Sequence, residues 1–101
     1  MRFLLKISMP NEPFNAYVKD GSADQKMQTI LGDIKPEAAY FTEISGKRTA
    51  LLIVNFDDVS KIPALVEPWF IIFHADVGIH PVMLGEDLGK ANLQELGKKW
   101  G

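Results

Sequence analysis

The chain opens with an alternation of two sets of side chains. Over residues 2–9 one set is fully apolar and consists of Phe3, Leu5, Ile7 and Met9. The other set is mostly polar and consists of Arg2, Leu4, Lys6 and Ser8. A period of two is typical of a strand with one buried face. Pro10 ends the pattern, because proline cannot donate a hydrogen bond to a neighbouring strand. We therefore predict a first strand over residues 2–9.

Two later segments show the spacing of amphipathic helices. The first extends from Phe14 to Ile34 and is interrupted by Gly21-Ser22, so the pattern fits either one long kinked helix or two short ones. The second begins at Ile62 and has the most regular spacing in the chain; its apolar stripe is Ile62, Leu65, Val66, Trp69, Phe70 and Phe73. Pro68 predicts a kink in this helix or the start of another one.

Three further strands are predicted between and after the helices. Residues 38–44 and 48–56 are joined by the short glycine-containing turn at 45–47, which is typical of a hairpin. Residues 50–54 are apolar at every position, which suggests that both sides of this strand are covered. The fourth strand is predicted over residues 77–84, and a last helix from Gly85 onward.

The predicted order is β-α-β-β-α-β followed by a helix. This order indicates one α+β domain over residues 1–101, a ferredoxin-like sandwich whose four-stranded antiparallel sheet carries two helices on one face. The second face would expose Leu4, part of the third strand and Val82, which a monomer disfavours. We therefore expect a homodimer in which two sheets meet face to face, as in a dimeric α+β barrel.

Composition narrows the classes of function. The 101 residues carry a net charge of −2 and no basic stripe, which argues against a nucleic-acid partner. Cysteine is absent, so disulfides, thiolate metal sites and cysteine nucleophiles are excluded. No segment approaches the roughly 20 apolar residues that span a membrane. We expect no cofactor, no membrane partner and a cytoplasmic location.

Three segments carry a resemblance to known proteins. Residues 61–70 (Lys-Ile-Pro-Ala-Leu-Val-Glu-Pro-Trp-Phe), 11–14 (Asn-Glu-Pro-Phe) and 86–90 (Glu-Asp-Leu-Gly-Lys) resemble a family of short bacterial proteins of unknown function, over nearly the whole chain. The predicted topology is also similar to that of the dimeric α+β barrel superfamily. Its members include cofactor-independent monooxygenases, muconolactone isomerase-like enzymes, haem-handling proteins and stress-response proteins. This likeness implies a central cavity between two sheets, but no particular reaction.

His80 is the candidate catalytic residue. It alternates with Gly78 and Val82, which favours a position facing away from the helices, and imidazole exchanges protons near neutral pH. A hydrogen-bonded structural histidine is the competing interpretation, because Pro81 beside it suggests a strand edge or a bulge. His74 lies six residues earlier with Asp76 between the two. That spacing matches no compact metal-ligand motif, so we expect no metal site there. His74 instead fits the end of the second helix.

Four residues are candidate ligand-binding groups: Lys6, Tyr40, Glu43 and Arg48. Lys6 would orient an anionic group, or pair with Glu43 if the two share a face. Tyr40 would supply a hydroxyl, although strands also favour tyrosine for packing. Arg48 would hold an anion, or lie solvated at a strand end.

Two functions fit these residues. The first is binding of a small organic molecule, or cofactor-independent catalysis, in a cavity between two facing sheets of a dimer. On this hypothesis His80 acts as a base or a hydrogen-bond donor and Lys6 orients an anionic group. The alternative is a non-catalytic structural or interaction module whose sheet face is a packed dimer interface. Whether the protein is an enzyme is left open by the sequence.

Overall fold

A computed structural model describes all residues from Met1 to Gly101. It contains one four-stranded antiparallel sheet with the order β2-β3-β1-β4. The strands are β1 (Arg2–Met9), β2 (Ala38–Ile44), β3 (Lys47–Asn55) and β4 (Asp76–Pro81). The prediction of an α+β fold with a four-stranded antiparallel sheet is confirmed. The predicted bounds of β1 and β2 agree with the structure, whereas β4 begins one residue earlier and ends three residues earlier than predicted.

Five helices accompany the sheet. They are α1 (Asn11–Asp20), α2 (Ala23–Ile34), α3 (Ile62–Phe73), α4 (Gly85–Lys90) and α5 (Leu93–Trp100), and a 3₁₀ turn at Val59–Lys61 precedes α3. Two helices therefore occupy the connection from β1 to β2, and two more follow β4. The element order departs in these places from the simple β-α-β-β-α-β pattern that the sequence predicted.

Backbone conformation explains where the helices divide. Gly21 ends α1 with a φ of 82°, in the left-handed region that glycine enters without steric strain. Of the two forms left open for this segment, the structure contains the two short helices. The single helix predicted after Gly85 is likewise two helices, separated at Asn92, which has a φ of 53°. Asparagine tolerates this conformation better than most residues.

Helix α3 continues through Pro68 without a break. It is one helix from Ile62 to Phe73, so no second helix begins at Pro68. His74 terminates it in the left-handed conformation; the N–H of His74 donates to the carbonyl oxygen of Phe70, and the N–H of Ala75 donates to that of Trp69. The prediction that His74 ends this helix is confirmed.

The core lies between the sheet and helices α1, α2 and α3. The central side chains of β1 and β3 are completely inaccessible to solvent at Leu5, Ile7 and Leu52. They pack with Trp69 and Phe73, whose rings stack at a centroid distance of 5.9 Å. The stripe on α3 that the sequence predicted to be apolar thus supplies the largest buried side chains of the core.

Register fixes which strand residues share the second face. Lys6 pairs with Leu51 of β3 and with Gly78 of β4, and Leu4 pairs with Ile53 and His80. Since neighbours in register point to the same side and successive residues to opposite sides, these residues all point away from the helices. No element of the chain forms a layer over this side of the sheet.

Helices α4 and α5 extend away from this body. Every residue from Val82 to Gly101 is exposed to solvent. The molecule measures 59 × 29 × 19 Å, and its radius of gyration is 17.1 Å. A compact domain of this length has a radius of gyration of about 13 Å. The elongation therefore reflects a helical arm, which we define as residues 82–101.

Candidate functional site

The candidate site is the uncovered side of the sheet, which we call the open face. It is formed by alternate residues of all four strands, whose backbones are held in register by the ladders β2-β3, β3-β1 and β1-β4. Its members are Arg2, Leu4, Lys6, Ser8, Ala38, Tyr40, Thr42, Ile44, Lys47, Thr49, Leu51, Ile53, Asn55, Asp76, Gly78 and His80.

The middle of the open face is aliphatic. Leu4 on β1 lies opposite Ile53 on β3, and Leu51 lies one pair further along β3. All three are partly buried, although nothing is stacked above them, because neighbouring side chains on the sheet shield their flanks. Opposed residues of an antiparallel pair have Cβ atoms about 4.5–5.5 Å apart, so the three form one continuous apolar patch.

Lys6 and His80 border this patch on the β1-β4 side. Lys6 lies directly opposite Gly78, and His80 is two residues further along β4. Such diagonal neighbours are about 7–8 Å apart, which is within reach of a long side chain. The structure therefore brings the predicted catalytic candidate and one predicted ligand-binding residue to the same part of the open face.

The absence of a side chain on Gly78 leaves room for the imidazole ring of His80. A Cβ atom on Gly78 would lie 2.9 Å from Nε2 of His80, closer than nonbonded atoms tolerate. The ring therefore lies over the glycine backbone, which directs it along β4 toward the position of Lys6. In the sequence, Gly78 stands out only as part of the alternation with His80. The signal that could have identified its role is a glycine two residues before a polar strand residue, where the absent side chain leaves room.

One end of the open face is polar. Ser8 pairs with Asp76 on one side and with Thr49 on the other, and Thr49 pairs with Thr42. Thr49 is the only buried polar residue of the chain, and its hydroxyl donates to the carbonyl oxygen of Lys47 at 3.0 Å. The open face thus has a hydroxyl-rich end and an aliphatic middle, with Lys6 in register with Leu51 between Leu4 and Ser8.

Tyr40 lies on the open face at the edge strand β2, where it pairs with Leu51. Its side chain is 64% exposed, and no hydrogen bond of its hydroxyl is present within the chain. Its position places the phenol at the margin of the aliphatic patch, on the side opposite Lys6 and Gly78.

Glu43 and Arg48 lie on the other side of the sheet. They pair with each other across β2 and β3, on the face that the helices cover, so Glu43 and Lys6 do not share a face. The carboxylate of Glu43 accepts a hydrogen bond from the N–H of Gly46 at 3.0 Å, which stabilises the hairpin turn. The suggested pairing of Lys6 with Glu43 is therefore absent, because the two residues fall on opposite sides of the sheet.

Arg48 is held by residues of α1. Its guanidinium carbon lies 4.5 Å from the centre of the Phe14 ring, and Nη1 donates to Oδ1 of Asn15 at 2.9 Å. These contacts attach the start of β3 to α1, and stacking of arginine on an aromatic ring is favourable. In this arrangement the guanidinium acts in packing, away from Lys6 and His80.

An ion pair lies at the end of the open face opposite the hydroxyl-rich end. Nε of Arg2 donates to Oε2 of Glu37 at 2.9 Å, and Nδ2 of Asn55 reaches Oε1 at 3.4 Å. The hydrogen bond from Arg2, supported by the one from Asn55, holds the pKa of Glu37 below its ordinary value. The carboxylate therefore stays charged and keeps the guanidinium of Arg2 occupied.

The structure contains no group of three or more histidine, cysteine, aspartate or glutamate side chains placed to hold a metal ion. His74 and His80 lie at opposite ends of β4, because His74 terminates α3 and His80 is near the end of the strand. The open face offers the imidazole of His80, the ammonium groups of Lys6 and Lys47, the carboxylate of Asp76 and several hydroxyls beside an aliphatic surface.

Comparison with protein-family models and with curated protein sequences finds no significant match to this chain. None of its helices combines the length and apolar character needed to cross a lipid bilayer.

Proposed function

We propose that two copies of this protein associate through their open faces and enclose a cavity that binds a small organic anion with an apolar body. The antiparallel sheet and the helical connections from β1 to β2 and from β3 to β4 support a ferredoxin-like arrangement. The divided first connection and helices α4 and α5 are departures from it. Two such domains joined through their sheets would form a dimeric α+β barrel.

The observation that carries the proposal is the composition of the open face. A purely structural interface would be expected to be apolar throughout its centre. Here an aliphatic patch of Leu4, Leu51 and Ile53 lies directly beside Lys6 and His80, both of which are exposed in the single chain. Ligand sites typically combine an apolar wall with a few polar groups in this way.

Each residue has a definite role in this proposal. Leu4, Leu51 and Ile53 contact the apolar body of the ligand, while the ammonium group of Lys6 binds its anionic group. His80, directed by the space above Gly78, donates a hydrogen bond or accepts a proton. The cavity needs two copies, because the open face of one chain is a flat sheet surface with no second wall.

The alternative function is a non-catalytic module in which the open faces pack directly on each other. The aliphatic residues Leu4, Leu51 and Ile53 favour it, since three adjacent apolar side chains can interlock with their symmetry mates without leaving space for a ligand. In that case Lys6 and His80 would lie at the rim of the interface.

Native mass spectrometry of the purified protein, followed by titration with sodium benzoate, distinguishes the two functions. Benzoate has an apolar ring and one carboxylate, and its binding is followed by amide shifts in ¹H–¹⁵N spectra. The proposal expects a dimer and saturable shifts at Lys6, Leu51 and Gly78. A dimer without these shifts favours the packed interface, and a monomer at micromolar concentration contradicts both functions.

Two substitutions test the assigned roles in the same titration. Lys6→Met keeps much of the side chain and removes its charge, and it should weaken benzoate binding by at least about tenfold, the typical value of a hydrogen bond to a charged group. Gly78→Ala keeps His80 but should displace its ring, so it should weaken binding as His80→Ala does. The matched control is Lys19→Met on α1, which removes an equal charge outside the open face and should leave binding unchanged.

A further inference from the structure

The two edges of the sheet differ in how well they are protected against pairing with another strand. The order β2-β3-β1-β4 makes β2 and β4 the edges. Strand β4 contains Asp76, Gly78 and Pro81 within its 6 residues, and a charge, a glycine and a proline all weaken pairing at an edge. Strand β2 has no proline and no lysine, and all 7 of its residues pair with β3 in one continuous register without a bulge. It is therefore the edge that is open to another strand.

Strand β2 also exposes groups that an added strand would cover. Alternate residues of an antiparallel strand direct their N–H and C=O groups away from the partner strand. Since β2 pairs only with β3, these outward groups have no backbone partner within the chain. In the middle of the strand, Tyr40 and Phe41 are 64% and 55% exposed. An incoming strand would satisfy the backbone groups and shield both rings.

An apolar groove lies beside the same strand. Phe41 is in register with Ala50, which in turn is in register with Ile7, and the last two are completely buried beneath the helices. Phe41 therefore points to the helix side of the sheet, where it lines a groove of about 430 Å³. Binding pockets typically measure about 300–1,000 Å³. The other apolar lining residues belong to α1 and α2 and are Phe14, Tyr17, Val18, Ala23 and Met27.

Pairing geometry connects the edge with the groove. Residues directly opposite each other in an antiparallel pair point to the same side of the sheet, with Cβ atoms about 4.5–5.5 Å apart. The residue of an added strand that lies opposite Phe41 would therefore point to the helix side and contact the groove. Main-chain hydrogen bonds along an edge, combined with a pocket for alternate side chains, are the usual means of recognising an extended peptide.

The charges around the groove indicate which peptide fits. Asp24 is the only charged residue in its lining. Glu43 lies two residues from Phe41, on the same side of β2, and is exposed. Opposite charges across a strand pair are stabilising and like charges are destabilising. A basic residue two positions from an apolar one therefore complements this edge. Strand β2 of a second copy does not, because its one charged residue is Glu43 itself.

We propose that an extended segment of another protein adds to β2 as a fifth strand, with an apolar side chain in the groove and a lysine or arginine two positions away. This binding goes beyond the proposed function. It uses the edge and the helix side of the sheet, so the open face stays available for association and for a small ligand.

The blocked heptapeptide acetyl-Thr-Lys-Thr-Leu-Thr-Lys-Thr-amide is a suitable probe for the whole protein. When it is extended, its leucine and both lysines share one side, so a leucine opposite Phe41 places a lysine opposite Glu43 in either chain direction. Titration into ¹⁵N-labelled protein should give saturable amide shifts at Phe41, Glu43 and Val18. At saturation, the outward-facing amides of residues 38–44 should exchange with solvent more slowly than in the free protein.

The charge assignment is tested with a second peptide and a double variant. The same peptide with both lysines replaced by glutamate should bind at least about fivefold more weakly. Asp24→Asn/Glu43→Gln should weaken binding of the lysine peptide by about fivefold, because two favourable charge pairs are lost. The matched control, Asp33→Asn/Glu67→Gln, removes two exposed carboxylates outside the groove and should leave binding unchanged.

The groove is tested by a substitution on α1, which leaves β2 intact. Val18→Lys replaces an apolar lining residue by a cation, so it should weaken binding of the lysine peptide by at least about tenfold. Val59→Lys adds the same charge at an exposed position outside the groove and should have no effect. Val18 is 53% exposed, so the fold should be retained, which circular dichroism checks.

Three outcomes would overturn the proposal. Equal affinity for the two peptides would remove the acidic groups from recognition. Shifts in the groove without slower exchange in β2 would mean that the probe binds as a small ligand and not as a strand. Slower exchange of the same β2 amides at rising protein concentration, without peptide, would identify a second copy as the occupant.

The substitution Ile53→Lys separates this inference from the proposed function. It places a charge on the open face and should weaken the face-to-face dimer, whereas affinity for the lysine peptide should stay unchanged. Loss of peptide binding together with the dimer would contradict binding at an independent edge.

Discussion

The two sides of the sheet are formed by the same strands but differ in how far their side chains are buried. On the helix side, Leu5, Ile7 and Leu52 are fully buried beneath Trp69 and Phe73. On the open face, Leu4, Leu51 and Ile53 occupy the neighbouring positions of the same strands and are only partly buried. The same strands therefore form a closed core only on the side that the helices cover, and the open face has no second layer within the chain.

The charges sharpen this difference. On the helix side, Arg48 lies at the margin of the sheet, where its guanidinium stacks on Phe14 and donates a hydrogen bond to Asn15. The open face carries Lys6 near its middle, directly beside the aliphatic patch. A charge in that position is costly to bury unless it is paired, so the surface is suited to a polar ligand or to water.

The largest change in the free energy of unfolding is expected at Leu52, and its neighbour Leu51, on the opposite side of β3, provides the comparison. Leu52→Ala should lower the free energy of unfolding by about 2–5 kcal/mol, because it leaves a cavity in a closed core. Leu51→Ala should have a smaller effect that grows with protein concentration, because the proposed dimer would bury Leu51 further on association. Urea denaturation at several concentrations measures both. Equal, concentration-independent losses would remove the distinction between the two sides.

A charge introduced into the aliphatic patch should weaken dimerisation without unfolding the monomer. Ile53→Lys should weaken dimerisation by at least about tenfold, or ~1.4 kcal/mol, because it places an unpaired charge in the interface. The monomer should stay folded, since Ile53 is not part of the buried core. Sedimentation velocity measures the association, with Val59→Lys, which is exposed and outside the open face, as control. An unchanged dimer would mean that the open face is not the interface.

Thr49 is the exception on the open face, because it is buried in the single chain. Thr49→Val keeps the shape and removes the hydrogen bond to the carbonyl of Lys47, so we expect a loss of about 1 kcal/mol in unfolding free energy. Thermal denaturation monitored by circular dichroism measures it. Thr42→Val on the exposed neighbouring strand is the control and should be nearly neutral. If Thr49→Val were equally neutral, the hydroxyl would have no structural role.

The smallest effect is expected at the ion pair that borders the open face. Because the folded-state pKa of Glu37 is lowered, chiefly by the hydrogen bond from Arg2, its carboxylate stabilises the fold above the ordinary glutamate pKa of about 4.3. This contribution is lost as the pH falls through the lowered value. Glu37→Gln should therefore be slightly less stable at pH 7, and indistinguishable from the natural protein at pH values below the folded-state pKa.

Denaturation of the two proteins over a pH series provides the measurement, and added salt should narrow their difference at pH 7, because the pair is exposed. A difference that persists at low pH would assign the effect to something other than the charge of Glu37.

Much of the local structure followed from the sequence. The alternation in residues 2–9 predicted β1 with its observed bounds, since a period of two is typical of a half-buried strand, and the hairpin turn at 45–47 led to the correct bounds of β2. The spacing from Ile62 to Phe73 predicted α3 and its buried stripe. Pro68 was expected to kink that helix or to begin a second one; no second helix begins there, because packing of Trp69 and Phe73 in the core can offset the loss of one hydrogen bond.

The candidate site was predictable only in part. Alternation placed Lys6 and His80 on the sides of their strands that the structure shows, but the partner of each residue depends on register, which local sequence does not contain. Glu43 illustrates this limit: its strand was predicted correctly, yet it lies opposite Arg48 on the helix side. Gly78 was overlooked because its function is to leave space, which only the position of the His80 ring reveals.

Periodicities of two and 3.6 residues along the chain were sufficient to predict the four strands, helix α3 and the two chemically distinct sides of the sheet. Only the tertiary structure decided that the open face lacks a layer, that His80 lies over Gly78, and that the helical arm leaves the body. These features depend on which distant segments meet, and the free energy of such contacts is set by packing between residues that the chain separates.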